Sequence, residues 1–264
     1  MGAYLGATPA AFPGYGRAYL GANLLWQAGG GGTTPAPSVD RAIPTAGLID
    51  RWRAADITGL TDGAPVASWA PTVGTDTLVQ PTVGSQPLWI ASGPNGKPTL
   101  RWPAASAGNT TYLSASGLPT RTGPFTVCAV VHPEAVNGAL QLIHGGTLAI
   151  YENFGAWSVN GGVLLSSGAG TALAQWLVLT TTFNGATSTV HLGGTQIASG
   201  NAGVGSQTGV INVGRHPTDS SRYWRGDIAE VIYYQGALSA TDRAALHSYA
   251  QDFYALATSD YIAA

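Results

Sequence analysis

Two stretches of this chain carry side chains of the types that can hold a sugar. A sugar ring stacks on an aromatic face and hydrogen-bonds to amides, hydroxyls and carboxylates around it. The first stretch is Tyr151-Glu152-Asn153-Phe154 with Trp157. The second is Arg215-His216, Asp219 and Arg222-Tyr223-Trp224-Arg225. It combines two aromatics with three arginines in a chain with only 11 Lys and Arg. The candidate glycan-contacting residues are therefore Tyr151, Asn153, Trp157, Arg215, Asp219, Tyr223, Trp224 and Arg225. Two other readings fit the second stretch. Trp224 is a core tryptophan with arginine stems lying over apolar surface, or the group is a subunit contact, where Trp, Tyr and Arg concentrate.

Hydrolytic chemistry is less well supplied. Glycoside hydrolysis needs two carboxylates on one face, and residues on a strand share a face at a spacing of two. Asp227 and Glu230 are the closest acidic pair in a strand, and their spacing of three predicts opposite faces. Asp227 is expected to satisfy a turn, and Glu230 a partly buried polar contact. Glu134 and Glu152 stand alone in sequence. The expectation is a protein that is not an enzyme. His132, His144, His191, His216 and His247 have no metal-ligand spacing, and His191 is expected to face solvent. The loop His216–Ser221 offers one carboxylate, a weak calcium site at best, so no cofactor is expected. Cys128 is alone and reads as a small buried hydrophobe.

The first 28 residues repeat a phrase. Ala3-Tyr4-Leu5-Gly6-Ala7 returns as Ala18-Tyr19-Leu20-Gly21-Ala22 and runs on to Leu24-Leu25-Trp26. So short a segment cannot bury its own aromatics. We read residues 1–28 as a docking arm in which Tyr4, Leu5, Tyr19, Leu20, Leu24 and Trp26 meet another protein. Residues 29–39, Gly- and Pro-rich, form a linker, and residues 40–264 a single large domain. Arms of this kind need a partner, so a homo-oligomer is expected. Charged residues make up 9% of the chain and the net charge is −2, against ~25% charged in ordinary domains. Nothing here attracts a phosphate backbone, so nucleic-acid binding is not expected. No apolar run is long enough to span a membrane. No basic segment followed by an apolar one opens the chain, which points to folding in a cytoplasm or to exit from the cell by a route other than secretion.

Beyond the linker, short β-rich runs follow one another between Gly, Pro, Asn and Ser. Phe125 to His132, Leu148 to Tyr151, Trp176 to Phe183, Ser188 to Leu192 and Ile228 to Tyr234 are examples. Many short strands at regular spacing predict an all-β sandwich or jelly roll. One helix is predicted near the end: Ser239-Ala240-Thr241-Asp242 has capping-box spacing, and Leu246, Tyr249, Ala250, Phe253 and Leu256 form one apolar stripe.

These runs resemble a known family. Trp52-Arg53-Ala54-Ala55-Asp56, Gly96-Lys97-Pro98-Thr99-Leu100-Arg101-Trp102, Ile211-Asn212-Val213-Gly214-Arg215 and Arg225-Gly226-Asp227-Ile228-Ala229-Glu230-Val231 are similar to laminin-G-like domains of the concanavalin A-like superfamily. The resemblance covers about residues 45 to 257. It implies a jelly-roll sandwich of two antiparallel sheets, on a fold that hosts lectins, hydrolases and adhesive modules alike. The Glu-x-Asp-x-x-Glu string of the superfamily's hydrolases is not found. The doubled Tyr-Leu-Gly arm resembles the starts of virion proteins of tailed bacteriophages. That implies a minor tail, fibre-associated or capsid decoration protein, assembled in the host cytoplasm, held to other virion proteins by its arm and able to display a domain for host-surface carbohydrate. The alternatives are a stand-alone carbohydrate-binding module and, with less support, a glycoside hydrolase or depolymerase.

Overall fold

The computed structural model describes residues 17–20, 23–27, 42–103, 111–134, 139–168, 175–219 and 221–256. The chain divides into two compact units, Met1–Ala36 and Pro37–Ala264. In the first, strands Arg17–Leu20 and Asn23–Gln27 pair antiparallel, with a bulge between Ala18 and Tyr19. Tyr19, Leu20, Leu24 and Trp26 lie on these two strands. Tyr4, Leu5 and the linker 29–39 lie outside the described residues.

The second unit is the expected sandwich of two antiparallel sheets with one C-terminal helix. The larger sheet runs from edge to edge as Thr195–Gly200, Ser188–Leu192, Leu177–Phe183, Phe125–Pro133, Gly226–Gln235, Thr99–Trp102, Leu88–Ile90 and Ala64–Pro65, and Leu48–Arg53 also pairs with Gly226–Gln235. The smaller sheet runs Leu164–Ser166, Ala156–Gly161, Leu148–Asn153, Ala139–Gly145, Val210–Val213, Leu113–Ser116, Leu78–Val79 and Ser68–Trp69. The central strands of the larger sheet are buried almost throughout: every residue of Leu177–Phe183, and all but Gln235 of Gly226–Gln235. A strand covered on both faces reads as a continuous apolar run rather than an alternation. One cover is the sandwich core, where Trp52, Trp69, Trp102, Trp157 and Trp224 are all fully buried. The other is the helix Ala240–Tyr254.

The helix begins as its sequence predicts, with the Ser239 hydroxyl accepting the Asp242 N–H at 3.1 Å. Its buried stripe is Leu246, His247, Tyr249, Ala250, Phe253 and Tyr254; Leu256 lies beyond its end. The stripe is fixed to the sheet by a polar cluster. Arg51 Nε donates to Glu230 Oε1 at 2.6 Å, and Arg51 Nη2 to the Tyr249 hydroxyl at 2.6 Å. Tyr249 and Tyr254 donate in turn to Glu230 Oε2 at 2.7 and 2.8 Å. Burial raises both tyrosine pKa values well above the phenol range, so both remain donors. Cys128, on the same sheet, is 1% exposed and its thiol is pushed up to about 12 by burial, as befits an inert packing residue.

Bulges place polar residues where simple alternation does not. Val130 pairs with Glu230 but Val131 pairs with Ile228, leaving Ala229 surplus, and His132 then pairs with Asp227. Val130 and His132 share a face, so Asp227 and Glu230 do too. The expectation of opposite faces is overturned by this one residue. Neither acid is free: Asp227 accepts a forked pair from Arg101 at 2.7 and 2.8 Å, rather than satisfying a turn, and Glu230 is fully buried. His191 is a second correction. It is 8% exposed, because the helix covers its face of the sheet.

One glycine shows why the Asn212-Val213-Gly214 run is so constrained. Gly214 adopts φ 90°, and a Cβ there would collide with the Trp102 indole. Only glycine supplies both the left-handed backbone and the missing side chain.

Candidate functional site: the open face of the smaller sheet

With the helix on the larger sheet, the outward face of the smaller sheet holds the polar rows. In the strand Leu148–Asn153, Leu148, Ile150 and Glu152 point into the core, and Ala149, Tyr151 and Asn153 point outward. Pairing extends this across the sheet. Tyr151 is opposite Ser158 on one side and Gln141 on the other. Ala149 lies between Asn160 and His144, and His144 is opposite Asn212, which is opposite Ser114.

Gln141 and His144 share this face at a spacing of three, again through a bulge. Gln141 pairs with Tyr151 and Ile143 with Ile150, so Leu142 is surplus and enters the core. The bulge leaves carbonyls out of the ladder, and the Gln141 amide serves them. Its Nε2 donates to Ile143 O at 2.7 Å and Ile150 O at 3.1 Å. Gln141 is fully buried, and its Oε1 has no hydrogen-bond partner in the structure. A buried amide oxygen left unpaired costs about 1–3 kcal/mol, so an acceptor waits beneath this face.

The segment after Val213 folds over the rows. Its His216 ring sits edge-on to His144 at 4.7 Å, and the Arg222 guanidinium lies 6.0 Å from the Tyr151 ring centroid. A cavity of about 220 Å³ lies between, lined by residues that include Gln141, His144, Thr147, Tyr151, Asn160, His216 and Arg222. Burial, with His216 adjacent, lowers the His144 pKa to about 4. His216 is lowered by burial and by Arg222. His216 Nδ1 accepts the N–H groups of Thr218 and Asp219 at 3.3 and 3.0 Å, which leaves its proton on Nε2. At neutral pH both rings are neutral; His216 has its Nε2–H left to donate, and His144 carries one donor and one acceptor nitrogen.

The two sequence-predicted stretches thus meet, through Tyr151 and Arg222, but several predicted contacts go elsewhere. Trp157 and Trp224 are fully buried and stack on each other with centroids 6.2 Å apart; neither can meet a ligand, and the core reading of Trp224 holds. Trp157 pairs with inward-facing Glu152, and it shares parity with Val159, a signal that the sequence carried. Arg215 lies 3.4 Å over the Tyr112 ring and reaches Asn212 Oδ1 at 3.4 Å, so it is an internal brace. Asn153, Tyr223 and Arg225 are half-buried and do not line the cavity. Asp219 accepts from Ser221 N–H and hydroxyl through Oδ1 and pairs with Arg222 at 2.9 Å through Oδ2. The Ser221 hydrogen bonds chiefly lower its pKa, and both oxygens face protein donors rather than a cation. Among the described residues no group of three metal-ligating side chains converges. Gln141, His144, Thr147, Asn160 and Arg222 were missed because a bulge and a folded-over loop, not local composition, bring them together.

Glu152 belongs to the core rather than the face. One oxygen accepts the Gly155 N–H and the other has no partner, and burial raises its pKa from 4.5 to about 7. The folded state therefore holds a proton that the unfolded chain has released across this interval, so stability falls as pH rises from about 4.5 to about 7. Glu152→Gln is expected to stabilise the protein at about pH 8 and to change little near pH 4.5. Urea denaturation at both pH values measures this, and an unchanged pH profile in the variant contradicts it.

The family described as the concanavalin A-like lectin/glucanases superfamily matches residues 107–242, more than half of the chain. The chain belongs to this superfamily. No curated protein matches it. Among solved structures it is similar to Trypanosoma rangeli sialidase in complex with sialic acid, with a TM-score of 0.51 and 15% identity over 81% of this chain and 34% of that one. The chain thus spans about a third of that sialidase. It is also similar to domain 4 of an extracellular arabinanase from Geobacillus stearothermophilus, in complex with arabinotriose. There the TM-score is 0.53 and the identity 17%, over 78% of this chain and 99% of that domain. At such identities the likeness is one of fold. A lectin/glucanase-like fold is what the chain shares with these proteins.

Proposed function

We propose that this chain is a non-enzymatic carbohydrate-binding protein whose smaller-sheet face takes a glycan and whose N-terminal arm docks it on a larger assembly. The observation that carries the glycan reading is the cavity between Tyr151 and Arg222, with the unpaired Gln141 oxygen beneath it. It offers a ring face, a guanidinium, neutral imidazoles and hydroxyl and amide groups, the mixture that hydroxylated rings require. A sugar-complexed domain of the same fold, the arabinanase domain, supports the choice of ligand class. Binding rather than hydrolysis is favoured because, among the described residues, no carboxylate lines the cavity, and most glycoside hydrolases use a pair of them.

The test is a glycan array carrying arabino-oligosaccharides and bacterial surface polysaccharides, followed by calorimetry on any hit. Tyr151→Ala and Arg222→Gln are each expected to weaken binding at least tenfold, about 1.4 kcal/mol, with unfolding midpoints close to wild type. Silence across the array, or binding untouched by both variants, removes the glycan reading.

The docking part rests on the doubled phrase in residues 1–28, whose aromatics exceed what so short a segment can bury. The assembly proposed is a tailed-bacteriophage particle, with the chain self-associating as a minor tail, fibre-associated or decoration protein. Deleting residues 1–28 is expected to abolish incorporation into purified particles. Full occupancy by the truncated protein overturns this part alone.

A further inference from the structure

A second cavity, of about 290 Å³, lies on the other sheet where the helix meets the turn after Ser188–Leu192. It is lined by His191, Gly193, Gly194, Ala240, Arg243, Ala244, His247 and Gln251. The two histidines are 8% and 5% exposed, with ring centroids 6.5 Å apart. Neither ring nitrogen of His247 has a hydrogen-bond partner in the structure, nor has Nδ1 of His191. Buried polar atoms are usually paired, and here three unpaired nitrogens belong to two side chains that line one cavity beside an arginine.

The charges choose the ligand. Arg243 is held in place by donating from Nη1 to Leu238 O at 2.6 Å. Its charge bears on both rings, and the second imidazole bears on His247; among the described residues no carboxylate acts on either ring or lines the cavity. Every polar side chain in the lining can donate: a guanidinium, two imidazole N–H groups and an amide. A metal ion would have two ligands and an arginine against it. We propose that this cavity binds a small oxyanion, a carboxylate or phosphate group, between Arg243 and the His191–His247 pair. The site is independent of the glycan face, which lies on the other sheet.

Proton uptake follows. Burial, with the neighbouring imidazole and Arg243, lowers the His247 pKa to about 4, and burial with Arg243 lowers His191. A bound anion is the first negative partner these rings would have. It stabilises the imidazolium form, so a proton moves from solvent to the pair on binding. Affinity then rises as pH falls below neutrality, by up to about tenfold per pH unit for each proton taken up.

The experiment is nitrogen-15 NMR of the histidine side chains in the intact chain at about pH 6, near the ordinary imidazole pKa. Inorganic phosphate, acetate and zinc chloride are titrated separately. Saturable shifts of His191 and His247 towards the imidazolium position are expected with phosphate or acetate, and which of the two saturates first distinguishes the sources. The response is expected to be lost in Arg243→Gln. Shifts that fail to saturate, or that survive unchanged in that variant, overturn the proposal. Saturation by zinc alone replaces it with a cation site. The wild-type titration decides the matter even if the variant does not fold.

Discussion

Replacing Glu230 with alanine is expected to destabilise the protein by about 3–5 kcal/mol, because the change strands a buried guanidinium. Glu230 is fully buried and accepts from Arg51, Tyr249 and Tyr254. Without it, Arg51 retains only part of its compensation and two tyrosine hydroxyls lose an acceptor. At about 2–4 °C per kcal/mol for a domain of this size, the melting temperature should fall by roughly 6–20 °C. Glu230→Gln, which keeps an acceptor but not the charge, should cost less. The double variant Arg51→Met/Glu230→Met should recover much of the loss, since replacing a whole buried ion pair by apolar groups is often close to neutral. Urea denaturation of wild type, Arg51→Met, Glu230→Met and their double variant forms a double-mutant cycle. A single-variant loss within about 0.5 kcal/mol, the range of ordinary surface substitutions, would show that the cluster does not hold the helix.

Trp157→Ala carries the second large effect, also about 3–5 kcal/mol of stability, as expected for deleting a large buried aromatic. Its ring stacks on Trp224 inside the sandwich. Sugar affinity of the protein that remains folded should change little. This is the mirror image of Tyr151→Ala, which should spare stability and lose the ligand. Calorimetry and denaturation on the pair separate a core ring from a contact ring. The assignment fails if Trp157→Ala loses sugar affinity while keeping its unfolding midpoint.

The sandwich and its helix were legible because each burial state leaves its own pattern. Leu177–Phe183, covered on both faces, is a continuous apolar and threonine run. In Leu148–Asn153, Leu148 and Ile150 face the core and Ala149 and Tyr151 face out, as a strand with one open face requires. The Ser239 cap and the stripe through Tyr249 and Phe253 mark the helix directly. The candidate face was only half legible. Tyr151 announced itself by its neighbours, whereas Arg222 stood in the arginine-rich stretch without being singled out from it. Gln141 and His144 did not, because parity counting assumes an unbroken ladder and Leu142 breaks it. The same assumption misplaced Asp227 relative to Glu230 across Ala229. His191 was misread for a different reason: alternation says which face a residue occupies, not whether a helix covers that face.

The surplus Leu142 has an evolutionary consequence. Such a residue inserts without inverting the strand around it, since Gln141 and His144 keep their outward faces on either side of it. It adds a side chain to the core and bends the strand more tightly. One added codon can thus reshape the curvature of a binding surface while leaving every residue on that surface unchanged.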